Sequence, residues 1–272
     1  MKYLVLGSEG QIGKPLVKYL KDEGHEVIGV DIEHGKSEDL RGWSKEQDEL
    51  FGWADFVFFL AFDVGGSRYL KEYEKTIPFM SNNCDLMSNT FKLLKWFETP
   101  FIFASSQMST MSWSTYGNLK MIGEKYTEAL DGMVVHFWNV YGPETDRKKF
   151  HVISDFIESA KDGKDIQMLT DGRESRQMLY VEDACQALYY MSNNYTPEWK
   201  ITPVPITSFE WVTIKEIADI IANHFDVKVI PGEACDDVQK DTKNRPAEKI
   251  KSIWKPTTRL EDGIMKIIKE MS

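Results

Sequence analysis

In the first half of the chain, short apolar runs alternate with stretches whose apolar positions recur every three or four residues. Tyr3-Leu4-Val5-Leu6 reads as a buried strand, Gln11 to Lys21 as a helix and Glu26 to Val30 as a second strand, together a βαβ unit. Further buried-strand candidates lie at Phe56 to Leu60, Phe101 to Ala104 and Met133 to Phe137, with helical stretches at about Thr76 to Phe97 and Tyr116 to Leu130 between them. Strands this uniformly apolar have to be covered on both faces, so the pattern predicts an α/β fold built on a doubly wound parallel sheet.

After Asn139 the pattern loosens. Helices are expected near Val152 to Lys161, Val181 to Met191 and Thr213 to Phe225. Ile214, Ile217, Ile221 and Phe225 share one helical stripe, as do Leu260, Ile264, Ile267 and Met271, and both stripes read as core faces. The pattern divides the chain at residues 1–138 and 139–272: a larger sheet domain, then a smaller α/β part with some segments returning to that sheet. No internal repeat, low-complexity tract or polyproline linker separates them.

At 272 residues the chain is long enough to bury a full core. Its 33 basic and 43 acidic side chains leave a net charge of −10, which removes the electrostatic footprint that nucleic acid or an anionic membrane requires. Cys84, Cys185 and Cys235 form no CxxC pair and are odd in number. Neither a disulfide framework nor a metal site is therefore expected, and a reducing cytoplasm fits. The longest apolar run, Phe56 to Phe62, is far too short to cross a bilayer, and Met1 and Lys2 lead straight into the first strand. The expectation is a soluble, unprocessed protein.

Two motifs carry chemistry. Gly7-Ser8-Glu9-Gly10-Gln11-Ile12-Gly13 joins the first strand to the first helix, where glycines permit a tight turn and let the backbone approach a pyrophosphate. Asp31 stands 18 residues after Gly13, at the end of the second strand, where a carboxylate accepts from an adenosine ribose and repels a 2′-phosphate. The pair points to NAD rather than NADP, with Lys36 and Arg41 as nearby cations that oppose the preference. Tyr116 and Lys120 lie one turn apart on one predicted helix face, and Ser105-Ser106 end the strand at Phe101 to Ala104. An ammonium beside a phenol is expected to lower the tyrosine pKa and so suit it to proton exchange with a substrate hydroxyl.

In these residues the chain resembles the extended short-chain dehydrogenase/reductases, particularly the NAD-dependent nucleotide-sugar epimerases and dehydratases, over nearly its whole length. The resemblance implies a Rossmann domain with a C-terminal substrate domain, NAD as cofactor and a nucleotide sugar as substrate. On its motifs Gly7, Gly10, Gln11, Ile12, Gly13 and Asp31 would hold NAD, Asp39 and Leu40 would lie beside the adenine, Leu60 and Ala61 would run under the cofactor, and Asn82 would stand near its nicotinamide half. Ser106, Tyr116 and Lys120 match the catalytic trio, with Tyr116 and Lys120 also touching the cofactor and Glu124 completing YxxxKxxxE. Asn139 in Asn139-Val140-Tyr141-Gly142-Pro143 matches the asparagine that touches the sugar nucleotide. Arg176, ahead of Tyr180-Val181-Glu182-Asp183, resembles the arginine that binds the diphosphate.

Within the family, the residues just after the catalytic serine separate the reactions. Dehydratases carry Asp-Glu there, decarboxylating relatives a glutamate at the second position, and C3/C5 epimerases of GDP-sugars a cysteine; here they are Gln107 and Met108, and methionine has no titratable proton. Cys84 is out of register and reads as a small buried hydrophobe. What survives is redox at C4, so a C4 epimerase leads. His151 pulls toward the C3/C5 epimerases and GDP-fucose synthase, which place a Lys or His acid there, and Phe62-Asp63-Val64-Gly65-Gly66 resembles their Gly-Gly stretch. The alternatives are therefore a 4-keto-sugar reductase or C3/C5 epimerase, and a non-catalytic NAD-binding regulator. Two departures stand out: His136 where relatives carry arginine, and only ten positions from Ser106 to Tyr116, which shortens the active-site rim.

The resemblance also implies a homodimer through the helices at Thr76 to Phe97 and Tyr116 to Leu130, with Met80, Leu86, Phe91 and Leu94 available to it or to the core. Nucleobase contacts are expected around Val152 to Phe156, Ile166 to Met168 and Lys243 to Glu248, and Arg245 is a candidate second contact to the diphosphate or ribose.

Overall fold

The computed structural model describes residues 1–196, 200, 203–240, 245–247, 250–251 and 253–271. Its first part runs β1 (Lys2–Leu6), α1 (Gly13–Asp22), β2 (Glu26–Val30), α2 (Lys45–Trp53), β3 (Phe56–Phe59), α3 (Ser67–Tyr73), α4 (Ile77–Phe97), β4 (Phe101–Ser106), α5 (Thr115–Ala129) and β5 (Met133–Phe137). The rest comprises β6 (Asn139–Tyr141), α6 (Val152–Lys161), β7 (Ile166–Gln167), β8 (Ser175–Arg176), β9 (Met178–Tyr180), α7 (Val181–Asn193), β10 (Val204–Ile206), β11 (Val212–Thr213), α8 (Ile214–Phe225), β12 (Val229–Ile230) and α9 (Leu260–Met271).

Six strands form one sheet in the order β10-β5-β4-β3-β1-β2, every pairing parallel. This is the doubly wound parallel sheet that the apolar runs predict. The period of two decides which core each residue joins. Tyr3, Val5, Phe56, Phe58, Ile102 and Ala104 pack into one cluster with Leu16 and Leu20 of α1, while Leu4, Leu6, Val57, Phe59, Phe101 and Phe103 pack into the other with Phe51, Phe91 and Leu119. Each fully buried Phe or Leu side chain contributes about 1.5–3 kcal/mol of transfer free energy, so the sheet is covered firmly on both faces.

The helix starts follow from local chemistry. Thr76 caps α4 by accepting from Phe79 N, Ser114 caps α5 by accepting from Gly117 N, and Thr213 and Glu216 form a reciprocal capping box at α8. Helices α2 and α3 have no counterpart among the periodic stretches. They are short, and α2 buries only Gln47 and Phe51 while α3 buries only Leu70, too few positions for a repeating stripe. Strands β1 and β3 are neighbours, as are β1 and β2, so the sheet order reverses beside β1; the crevice at the carboxyl ends of β1, β3 and β4 is where an open α/β sheet takes ligands.

Candidate functional site

The loop leaving β1 is shaped by two glycines. Gly7 has φ +83°, and a Cβ there would come within 2.7 Å of the Ala61 backbone, so only glycine lets this turn lie against the end of β3. A Cβ on Gly13 would collide with the Gly7 carbonyl. Ile12, at the start of α1, supplies no side-chain cap, and Gln11 Nε2 is buried with no hydrogen-bond partner among the described residues. An uncapped helix N-terminus beside an orphaned amide donor suits a pyrophosphate, so this cradle fits a dinucleotide.

Asp31 follows β2 directly. Its two oxygens accept from Glu9 N at 2.9 Å and Glu33 N at 3.2 Å, which clamps the carboxylate at the rim of the glycine loop. Glu38 and Glu9 grip His34 at 2.7 and 3.2 Å, and their hydrogen bonds raise the His34 pKa. Arg41, the cation that would soften a preference for NAD, is already engaged. Asp39 takes it through two parallel contacts at 2.9 and 2.7 Å, and its third nitrogen donates to Asn82 Oδ1 at 2.9 Å. Asn82, expected beside the nicotinamide half, is thus turned toward Arg41 and Asp63. Lys36 is exposed, Leu40 is buried, and Leu60 and Ala61 line the cavity with Gly7, Gly10 and Gly13.

Ser106, Tyr116 and Lys120 meet on the wall made by β4 and α5. Ser106 ends the strand, accepts from Met108 N at 3.2 Å and hydrogen-bonds the Tyr116 hydroxyl. Lys120 is buried, donates to Ala104 O at 2.6 Å and stands 3.7 Å over the Phe62 ring. The electrostatics correct the sequence expectation. Burial pushes the Tyr116 phenol up to about 12 against the opposing Ser106 hydrogen bond, and burial pulls Lys120 down to about 7, partly countered by Glu124. Burial outweighs the Ser106 hydrogen bond, and Lys120 Nζ is engaged by Ala104 O and the Phe62 ring.

Glu124 lies behind this trio. It accepts from Ser105 Oγ and lies 2.8 Å from His136 Nε2, so His136 is its hydrogen-bond partner behind the trio. Burial alone would raise Glu124, but His136, Ser105 and Ser109 outweigh it and hold the carboxyl low. The short rim is a 3-10 turn at Gln107–Thr110 followed by a pinned segment: buried Glu74 accepts from Ser114 Oγ at 2.9 Å and from Tyr116 N at 3.1 Å. Cys84 corrects another expectation, since it is exposed on α4 rather than buried.

Across the cavity the second part of the chain presents Asn139, Arg176 and His151. Asn139 Nδ2 is buried and lacks a partner among the described residues, while its Oδ1 accepts from Gln239 Nε2 at 3.1 Å. Arg176 is buried and pairs with Asp236. His151 Nδ1 stands 2.7 Å from Glu144 Oε1, and the same carboxylate accepts from His151 N. Burial acts to raise Glu144, but these hydrogen bonds outweigh it. Glu144, Asp236 and Gln239 were not singled out from the sequence, because each acquires meaning only through a partner that folding brings to it. Arg245 is exposed and does not line the cavity. Val152, Phe156 and Gln167 do line it, whereas Ile166 and Met168 are core; Lys243 and Glu248 lie outside the described residues.

These surfaces enclose one cavity of about 1960 Å³. Sites for one small ligand run to about 1,000 Å³, so this volume has room for a dinucleotide and a second ligand together. Among the described residues no helix is long and apolar enough to cross a membrane, and no cluster of His, Cys, Asp and Glu has the makings of a metal site.

The sequence model of the NAD dependent epimerase/dehydratase family matches residues 3–201. UDP-glucuronic acid decarboxylase 1 of Danio rerio is 22% identical, over 100% of this chain and 72% of its own length. GDP-mannose 3,5-epimerase 1 of Oryza sativa subsp. japonica is 26% identical over 97% of this chain and 80% of its own length. Among solved structures, the UDP-glucuronic acid 4-epimerase from Bacillus cereus, in complex with UDP-glucuronic acid and NAD, superposes with a TM-score of 0.82 at 20% identity, covering 100% of both chains. That likeness shows the fold. The three names describe three reactions, so the chemistry has to be argued from the side chains in the cavity.

Proposed function

The chain belongs to the NAD dependent epimerase/dehydratase family, and from that premise we propose that it is a nucleotide-sugar epimerase that inverts C4 through a transient 4-keto sugar. One observation carries the reading: Ser106, Tyr116 and Lys120 share a cavity wall, and the positions after Ser106 hold no acid. Gln107 is turned to Gln239, and Met108 is buried in the core. Dehydration and decarboxylation each need a further titratable group there, whereas chemistry at C4 needs only the trio and the cofactor.

In this reading residues 1–138 hold NAD and residues 139–272 mainly hold the nucleotide sugar. NAD, when bound, supplies the hydride exchange. Gly7, Gly10, Gln11, Ile12 and Gly13 hold its pyrophosphate and Asp31 its ribose. Ser106 orients the C4 hydroxyl against Tyr116, and Tyr116 takes and returns the hydroxyl proton. With burial holding the phenol up at about 12, that transfer requires a positive charge to act on the phenolic oxygen as the proton leaves. Asn139 offers to the sugar side its Nδ2, which has no partner among the described residues, and Arg176 its guanidinium to the diphosphate.

A second reading rests on the His151–Glu144 pair, which has the form of an oriented acid/base and would suit C3/C5 epimerisation. The keto-sugar reductase draws on the same trio but disfavours Asp31, and the regulator reading leaves Tyr116 and Lys120 without a purpose. The decisive experiment purifies the protein without added cofactor, identifies any released dinucleotide by mass spectrometry, and incubates it with UDP-, GDP-, CDP- and dTDP-hexoses in D2O. Retained NAD with redox-neutral inversion at C4 and no carbon-bound deuterium is expected. Deuterium at C3 or C5 would favour His151, stoichiometric NADPH consumption with a 4-keto sugar would favour the reductase, and either would overturn the C4 epimerase.

We also place a homodimer on α4 and α5. Phe91 and Leu94 are core, whereas Met80 and Leu86 are half-buried, and Met121, Ile122 and Tyr126 of α5, each more than 40% exposed, add apolar surface to that face. Exposed free Cys84 and Cys235 fit a reducing compartment such as the cytoplasm.

A further inference from the structure

Residues 234–240, which follow β12, cross the cavity between its two walls. Asp236 places one carboxylate oxygen on Arg176, while the other accepts from Val238 N at 3.0 Å and Gln239 N at 3.2 Å, so one side chain both makes the ion pair and shapes the turn. Gln239 then bridges the cavity, donating to Asn139 Oδ1 at 3.1 Å and accepting from Gln107 Nε2 at 3.3 Å. Asp237 pairs with Lys71 at 3.1 Å. Val238 is buried, and its carbonyl accepts from Trp113 Nε1 at 3.1 Å, which ties the segment to the short rim between Ser106 and Tyr116.

The order of these groups has a chemical meaning. A carboxylate on a buried guanidinium, followed by an amide that both donates and accepts beside the catalytic serine, repeats the order of a diphosphate followed by a sugar. The charge pattern leads to the same place. Among the described residues, every lysine and arginine lining the cavity, Lys120 apart, is paired with a carboxylate. The described arginines and lysines at the diphosphate end are thus already paired, and the two cations that one movement would release together, Arg176 and Lys71, are both held by this segment.

We propose that residues 235–240 form a strap that occupies the diphosphate and sugar contacts of the ligand-free enzyme by mimicry, with the Asp236 carboxylate in the anion's place, and that substrate enters by displacing it. The inference rests on reading Arg176 and Asn139 as nucleotide-sugar contacts. It also gives the short rim a consequence: the side of the pocket that the rim leaves open is closed by a removable piece of the same chain. Substrate affinity then carries the cost of opening, because an anion binds only the fraction of molecules whose strap is displaced.

The test is calorimetric titration of the NAD-loaded protein and its Asp236→Asn variant with inorganic pyrophosphate and with UDP, GDP, CDP and dTDP, alongside hydrogen exchange of the peptide spanning 234–240 in the unaltered protein. The variant is expected to bind pyrophosphate at least about tenfold more tightly, since loss of the carboxylate favours the open strap. Exchange in the unaltered protein is expected to speed up when pyrophosphate binds. Equal or weaker binding by the variant, or exchange that slows on binding, overturns the strap. Failure of either protein to bind any of these anions overturns it as well, together with the role of Arg176. The two readings separate cleanly: tighter pyrophosphate binding without turnover of any nucleotide sugar keeps the strap and removes the proposed activity, whereas turnover with unchanged variant affinity does the reverse.

Discussion

Glu144 holds His151 by both its ring and its backbone, at 2.7 and 2.9 Å, so a buried carboxylate fixes the orientation of a histidine that lines the cavity. A low carboxyl can only accept, so Nδ1 carries the hydrogen and Nε2 remains for a ligand. If the reaction is confined to C4, this pair positions substrate and moves no proton. His151→Asn is then expected to change KM while kcat stays within about tenfold. A loss of about 10²–10⁴ in kcat, with loss of solvent deuterium exchange, would instead assign the proton transfer to His151.

Tyr116 is the group on which the C4 reading stands. Tyr116→Phe keeps the ring and its contact with Phe62 but removes the hydroxyl that meets Ser106. Turnover of the accepted nucleotide sugar is expected to fall by about 10²–10⁴, with retained dinucleotide and thermal midpoint unchanged. Turnover that survives the substitution would make the protein a binder of dinucleotides with its chemistry elsewhere or absent.

Lys120 couples activity to stability. Burial lowers its folded pKa to about 7 from 10.5, so between those values the unfolded chain binds a proton that the folded chain does not. Unfolding free energy therefore gains from this group as pH rises through the window, and the gain amounts to about 2 kcal/mol from pH 7 to 9. Lys120→Met removes the titration. The stability difference between the unaltered protein and the variant, from denaturant midpoints at several pH values, is expected to grow in favour of the unaltered protein over that range, while the variant is inactive throughout. A flat difference would mean that Lys120 does not titrate in the folded state.

How far the sequence reached follows from what kind of signal each feature leaves. Strands such as β1 and β3 are apolar at every position because both of their faces are buried, and continuous runs of that kind are legible. The glycine loop and the Tyr116–Lys120 spacing are legible because they are local. Helices α2 and α3 were not, since their few buried positions set no period. The partnerships of Asp236 with Arg176, of Gln239 with Asn139 and of Glu144 with His151 were invisible for another reason: a carboxylate or amide in a polar loop looks like any solvated residue until its partner is known. Tyr116 shows the remaining limit, because a spacing of four places two side chains on one face without saying where the lysine's ammonium will be drawn.

Oligomerisation can be tested on α5. Ile122 and Tyr126 are one turn apart and exposed, and the Tyr126 ring stacks on Phe91 of α4 at 4.9 Å, so a partner seated here would rest on a rigid pair of helices. Light scattering is expected to give twice the chain mass of 31.5 kDa for the unaltered protein and the single mass for Ile122→Glu. A monomeric unaltered protein would remove the dimer.

On the proposed reading, cofactor choice rests on two carboxylates with separate tasks. Asp31 is clamped by backbone amides at the glycine loop, where it would repel a 2′-phosphate, while Asp39 holds Arg41 in a bidentate pair that would withhold that guanidinium from a phosphate. The Arg41 hydrogen bond is the largest influence on Asp39 and keeps its carboxyl below the ordinary range, so the pair persists across neutral pH. Removing the repulsion alone leaves NADP without a counter-charge, and Asp31→Ala is expected to improve NADP affinity by no more than about tenfold. Adding Asp39→Asn releases Arg41 to a phosphate, and the double variant is expected to gain about another tenfold, with NAD affinity falling as the ribose loses its acceptor. Fluorescence titration of both cofactors against the two variants measures the ratio. If the single variant already reverses the preference, Arg41 is not restrained by Asp39 in solution; if neither variant moves the ratio, the 2′-position of the ribose does not lie against Asp31.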